Sequence, residues 1–144
     1  MQTEKRFVSD NAVAQRILAA ASIAAISGGA AVVWYFNPSS VNFLPVCPLY
    51  SLTGIACPGC GLTRGFHALF HGDIFTALDY NALLPVYAFI FGYFFVSLIF
   101  VIFKGRGLSF NIFRPKLIWS FLALALVFAV VRNLPVYPFS VLYP

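Results

Sequence analysis

The chain has 144 residues, 61 % of them hydrophobic and only 9 % charged, with a mean hydropathy of +0.89. That is too little polar surface to cover a soluble core, so lipid is the expected solvent. A formal net charge of +5 would suit nucleic acid, but four of the nine Lys and Arg residues fall in one short segment between hydrophobic runs, the pattern of a cytoplasmic loop, and this excludes a nucleic-acid partner.

Residues 1–16 carry Lys5, Arg6 and Arg16 against Glu4 and Asp10, without strong apolar periodicity, and read as a cytoplasmic tail. Residues 17–36 are uncharged and match the ~20 residues needed to cross a ~30 Å hydrocarbon core. They end in Trp34-Tyr35-Phe36, an interfacial aromatic cluster, and lack a convincing cleavage site, so an uncleaved first span is expected. Within it, Ser27-Gly28-Gly29-Ala30 would let another helix approach closely.

Asn37-Pro38-Ser39-Ser40 is turn chemistry. Residues 41–56 are apolar but interrupted by Pro45, Pro48 and Gly54, wrong for a helix, and are expected to lie in the interface or re-enter between helices with Cys47 in their midst. Cys57-Pro58-Gly59-Cys60-Gly61-Leu62-Thr63-Arg64 follows. With Cys57 near an N-cap and Pro58 at the first helical position, a helix is predicted to run to about His71 and to stop at Gly72. At ~100° per residue, Cys57, Cys60, Arg64, His67 and His71 would then share one stripe, opposite Leu62, Phe66, Leu69 and Phe70. Such a helix is about 21 Å long, too short to span, and should be interfacial or half of a re-entrant hairpin.

Asp73 is a natural cap for a short helix over 74–78, while Asp79 and Asn81 either cap or pair with Arg64. Residues 82–103 form the second span, closed by Lys104-Gly105. The loop to Lys116 holds Lys104, Arg106, Arg114 and Lys116 with no acid, and Pro115 opens a third span over 115–131. Trp119 marks one interface of it and Arg132 is expected to snorkel to headgroups at the other. With tail and basic loop inside, seven Lys or Arg are cytoplasmic and only Arg64 and Arg132 lie outside, beside all three cysteines. In a bacterium that outer face is oxidising.

The fold expected is therefore an all-α integral membrane domain over 1–144. It has three transmembrane helices, plus a short re-entrant or interfacial helix within the external segment 37–81. Its residues Cys47-Pro48, Thr53-Gly54, the run from Cys57 to Arg64, His71-Gly72-Asp73, Asn81 and Arg132-Asn133 resemble a family of small bacterial membrane proteins of unknown function, marked by a Cys-Pro-x-Cys-Gly-x-Thr-Arg motif. The resemblance covers about 37–133 and departs at Asn81-Ala82, where the family reads Asn-Pro. It implies a membrane location and a shared site, which would include Thr63, Arg64, Asn81, Arg132 and Asn133, and it brings no reaction.

Four chemistries compete for the motif. A structural disulfide between Cys47 and either Cys57 or Cys60 would staple the re-entrant segment and stabilise by ~2 to 3 kcal/mol. Such a protein would be a non-enzymatic accessory or assembly subunit of the bacterial inner membrane, pairing with another membrane protein or a second copy. A thiol-disulfide exchanger would use Cys57 and Cys60 at a helix N-terminus, with Cys47 as a third thiol. A zinc site would take Cys47, Cys57, Cys60 and His67, but on a continuous helix His67 lies ~10 Å beyond Cys60, so the helix would have to begin after Cys60. Finally, Arg64 and Arg132 suit an anionic headgroup or ligand. Hydrolase and phosphate-loop chemistry find no support, since Gly59-Cys60-Gly61 lacks a following Lys-Ser or Lys-Thr.

Overall fold

The protein's structure is a computed structural model that describes residues 2–41, 47–109 and 114–135, with side chains described from residue 12 onward. The described residues form six helices and no strand: α1 (Gln2–Tyr35), α2 (Pro48–Thr53), α3 (Leu62–Phe70), α4 (Ile74–Tyr80), α5 (Leu84–Lys104) and α6 (Pro115–Arg132). Three stretches are long and apolar enough to cross a membrane: Ala12–Tyr35 within α1, Leu84–Lys104 and Pro115–Arg132. Their outward faces carry large apolar side chains such as Leu18, Phe89, Trp119 and Leu126, which suits contact with lipid.

Helix ends follow local chemistry. Pro115 opens α6 in its first turn, where a missing amide costs least, and Gly105 closes α5 in the left-handed conformation. Asp73 caps α4, its carboxylate accepting the Thr76 amide at 3.1 Å. The Thr76 hydroxyl and amide hold that carboxyl below its ordinary range. Gly72 adopts φ 82 just after α3, as its position after His71 predicts.

Three expectations need correction. The lead-in 2–16 is helical and continuous with the first span; no Pro or Gly interrupts residues 2–27, so nothing stops the helix there. Residues 48–53 are helical too, because Pro48 sits in the first turn and Gly54 is a left-handed C-cap whose amide donates to the Tyr50 carbonyl. The breakers bound this helix rather than interrupt it, while Pro45 lies outside the described residues. Third, α3 starts at Leu62 rather than at Pro58. Gly61 stands at φ 80, incompatible with a helix running through it, and Cys57 to Cys60 form a turn closed by the Cys60 amide on the Cys57 carbonyl at 3.0 Å. The five-residue polar stripe therefore does not exist as one helix face.

Small residues bring α3, α4 and the start of α5 together around buried Ala68, Ala77 and Leu84. At Gly65 a Cβ would meet Leu84 Cδ1 at 2.7 Å and the Ala77 carbonyl oxygen at 3.1 Å, so only hydrogen fits. α1 packs along α5 and touches α3 near its own C-terminal end, where Val33 accepts from His67 and Trp34 stacks on His71. At the other end, the Arg16 guanidinium lies beside Gly105, 3.7 Å from where a Cβ would stand. The start of the first span and the basic loop thus share one end, and the cysteine-bearing segment occupies the opposite one. α6 meets the start of α5 through Leu83, Ala125 and Phe128, with Tyr87 alongside. After Gly105 the chain folds back along α5, its amide at Leu108 donating to the buried Ser97 hydroxyl at 3.0 Å and its Ser109 carbonyl accepting from Tyr93. Those hydroxyls satisfy backbone groups that lipid would leave unpaired.

Gly61→Ala tests the tight approach to α4. A Cβ there would strike the Tyr80 carbonyl in a backbone conformation that L residues rarely adopt. We expect a loss of about 1 to 3 kcal/mol, read as a lowered thermal midpoint in detergent. Gly28→Ala, with nothing within 4 Å of the added carbon, should leave that midpoint unchanged or raise it slightly.

Candidate thiolate site

The turn Cys57-Pro58-Gly59-Cys60 has no regular ladder of its own, so its backbone must find partners elsewhere. It finds them in side chains from two distant places. Asn133, at the end of α6, pairs with both backbone groups of Ala56: its carbonyl oxygen accepts from the Ala56 amide at 2.8 Å and its amide donates to the Ala56 carbonyl at 2.8 Å. Arg132 donates one terminal guanidinium nitrogen to the carbonyls of Cys57 at 3.0 Å and Cys60 at 3.1 Å. Asn81, between α4 and α5, donates to the carbonyls of Pro58 at 2.8 Å and Cys60 at 3.1 Å, while its oxygen accepts from the Leu83 amide at 2.9 Å. The Gly59 carbonyl takes the Leu62 amide at 3.1 Å. Every carbonyl from 56 to 60 is thereby satisfied.

This corrects the expectation for Arg132. It does not snorkel: its exposure is 0 %, and its guanidinium lies 5.0 Å from the centroid of the Phe128 ring. Asn81, at 1 % exposure, is committed to the turn and to Leu83. Arg64 is exposed, its guanidinium 5.9 Å from the centre of the Tyr80 ring, and Thr63 is half-buried in the first turn of α3. His67 points its Nδ1 at Val33, and among the described residues the only close group of three metal-ligating atoms is made by the cysteines, without it.

The cysteines come together because the turn presents two of them to the start of α2. Cys57 Sγ lies 3.2 Å from Cys47 Sγ and 3.2 Å from Cys60 Sγ, and all three sulfurs lie within 4.8 Å of one another. They are thiols, not a disulfide, which would need ~2.05 Å. Their environments differ. Cys47 sits at the N-terminal end of α2, where the Tyr50 amide and then the Cys57 thiol pull its pKa down to about 7. Cys60 is buried, and desolvation first, then the neighbouring thiols, push it up to about 12. The Cys57 amide also donates to Cys60 Sγ at 3.2 Å.

Two chemical consequences follow from the triangle. The two 3.2 Å sides are shorter than the ~3.8 Å that separates thiolates bound tetrahedrally at ~2.3 Å, so Cys57 would have to draw back from its neighbours by about 0.5 Å to share one ion with them. The donor set is soft, suited to zinc or copper(I). Thiol-disulfide exchange asks instead for a near-linear approach of three sulfurs, yet the same distances hold the angle at Cys57 to about 100° or less. α3 does begin after Cys60, at Leu62, yet His67 stays outside the thiol cluster with its Nδ1 on the Val33 carbonyl, so a fourth ligand would have to come from elsewhere.

Residues 47–95 match a family model described as a protein of unknown function (DUF2752). The match begins at Cys47 and takes in the cysteine turn, α3, α4, Asn81 and the first half of α5. Comparison with curated proteins and with solved structures finds no match.

The unequal thiols give a pH signature. In metal-free protein, alkylation of Cys47 by iodoacetamide should rise with pH through a midpoint near 7, because only the thiolate reacts. Cys60, a neutral thiol throughout this range, should stay unmodified up to at least pH 9. Peptide mass spectrometry after timed quenching reads both.

Proposed function

We propose that this chain is a non-enzymatic protein of the bacterial cytoplasmic membrane that holds a soft metal ion, zinc by default, on the outer face through Cys47, Cys57 and Cys60. The observation that carries this reading is the gathering of three soft donor atoms within 4.8 Å of one another, which a small spreading of the side chains would fit to one ion at thiolate distance. The backbone clamp of Asn81, Arg132 and Asn133 supports it, because a turn with all its carbonyls engaged presents its two sulfurs in one geometry. Orientation rests on charge: Lys104, Arg106, Arg114 and Lys116 are acid-free and share an end with Arg16, which supports a cytoplasmic location for that end. Thiols so close together in an oxidising compartment would pair unless something occupies them, and a metal ion does. The three cysteines leave a tetrahedral ion one open position for water or for a side chain of a partner membrane protein, consistent with an accessory role.

A second reading draws on Cys57 standing equally close to Cys47 and Cys60, so that a disulfide oxidant of the outer compartment, itself reduced to a dithiol, could join Cys57 to either one with little movement. Cys47 as thiolate would attack a Cys57–Cys60 disulfide at Cys57, forming Cys47–Cys57 and releasing Cys60, with no net change in oxidation.

Metal analysis of protein purified anaerobically in detergent, without added chelator, separates the two. The metal reading expects about one zinc per chain, loss of most of it in Cys57→Ser, and thiols that a maleimide reaches only after chelation. Affinity should rise with pH, because Cys60 must lose a proton that it holds up to about 12. A metal-free preparation carrying a Cys57 disulfide would overturn the metal reading, and trapping of a mixed disulfide in Cys60→Ser would then separate an exchanging bond from a structural one. Alkaline phosphatase fused after Gly105 should be inactive and a fusion after Asn133 active; the reverse would overturn the orientation.

A further inference from the structure

Outside the thiol cluster, one other pair of metal-ligating side chains is held together. His67 and His71 stand one turn apart at the C-terminal end of α3, with ring centroids 4.4 Å apart. Each ring is anchored in the same way. His67 Nδ1 lies 2.7 Å from the Val33 carbonyl oxygen and His71 Nδ1 lies 2.8 Å from the His67 carbonyl oxygen. A carbonyl only accepts, so in both rings Nδ1 carries the hydrogen, and in the neutral imidazole the lone pair is left on Nε2. An Nδ1–H bonded to a carbonyl is the outer support that metal-bound histidines nearly always have, since it sets the tautomer and fixes the ring.

The second ring is restrained further. Trp34 stacks on His71, the ring planes 10° apart and the centroids separated by 6.0 Å. His71 is exposed and His67 half-buried, so an ion has access from the interface. Two histidines at i and i+4 on one helix face are a spacing that metal sites use.

We propose that His67 and His71 form a two-imidazole site for a borderline divalent transition-metal ion, of the zinc, nickel or copper class, bound through both Nε2 atoms with water completing its shell. The site lies where α1 meets α3, uses no sulfur, and is independent of the thiolate reading.

Zinc titration of the full chain in detergent by calorimetry tests it. Wild-type protein, stripped of metal and reduced, is expected to take up a histidine equivalent that His67→Ala and His71→Ala each weaken at least ten-fold. Cys47→Ser should leave this equivalent intact while removing any thiolate-bound one. Nickel absorption-edge spectra of Cys47→Ser with one equivalent of Ni²⁺ should then show scattering from two imidazoles. If the thiolate reading fails, wild type binds the histidine equivalent alone, so the two failures are distinct. In the Cys47→Ser background, an equivalent that survives both histidine variants overturns the proposal. Because an alanine variant could misfold, wild-type protein supplies a second measure: zinc should slow diethylpyrocarbonate modification of His71 several-fold, and an unchanged rate also overturns it.

Discussion

The hydrogen bonds that Asn81, Arg132 and Asn133 make to the carbonyls of residues 56–60 are the constraint on which the rest of this structure depends. The turn Cys57-Pro58-Gly59-Cys60 lies outside any regular ladder, and its buried carbonyls need partners from elsewhere in the protein. The three side chains supply that satisfaction from sites 21 to 77 residues away in the chain. They therefore do two things at once: they tie α6 and the α4–α5 junction to the cysteine segment, and they determine where two of the three sulfurs point. α6 makes its contact with the start of α5 around the same place, through Phe128 and Ala125, so the clamp and the small apolar cluster reinforce each other.

Close packing makes the clamp possible. Gly61 and Gly65 lie against Tyr80, Ala77 and Leu84 at separations that exclude a Cβ, which sets α3 and the preceding turn directly against the segment that carries Asn81. Were either glycine larger, α3 would move away from α4 and Asn81 would lose its reach to Pro58 and Cys60. The glycines of the motif thus act through shape: Gly61 also ends the turn in the left-handed conformation, which starts α3 late and frees Cys57 and Cys60 from a helical register.

The spans and their ends could be read from the sequence because the signals are local. Twenty uncharged residues before Asn37, Pro115 after a basic loop, Gly72 after His71 and Asp73 before Thr76 each act within a turn or two of themselves. Cys57 and Pro58 looked like an N-cap and a first helical residue by the same local logic, and that failed because the conformation of Gly61, forced by contact with Tyr80, outweighs it. Arg132 is the clearest limit. A lone arginine at the end of a span normally reaches for headgroups, and nothing nearby in sequence says otherwise; its partners, Cys57 and Cys60, are 75 and 72 residues away. The Asn133 pairing with Ala56 is hidden for the same reason, although the family resemblance marks Arg132 and Asn133.

Burial of Arg132 acquires an electrostatic rationale once the thiols are considered as ligands. A guanidinium removed from water is costly, and the Cys57 and Cys60 carbonyls and the Phe128 face are among the groups that offset that cost. Three thiolates around a divalent ion carry one net negative charge, and an arginine bonded to the backbone of two of those cysteines carries the opposite one. The pair is neutral as a unit, which is the state that a low-dielectric site favours. A disulfide, being neutral, would gain nothing from a buried cation beside it. In the proposed metal-bound state, the position of Arg132 would place its charge beside the backbone of two of the sulfurs that hold the ion.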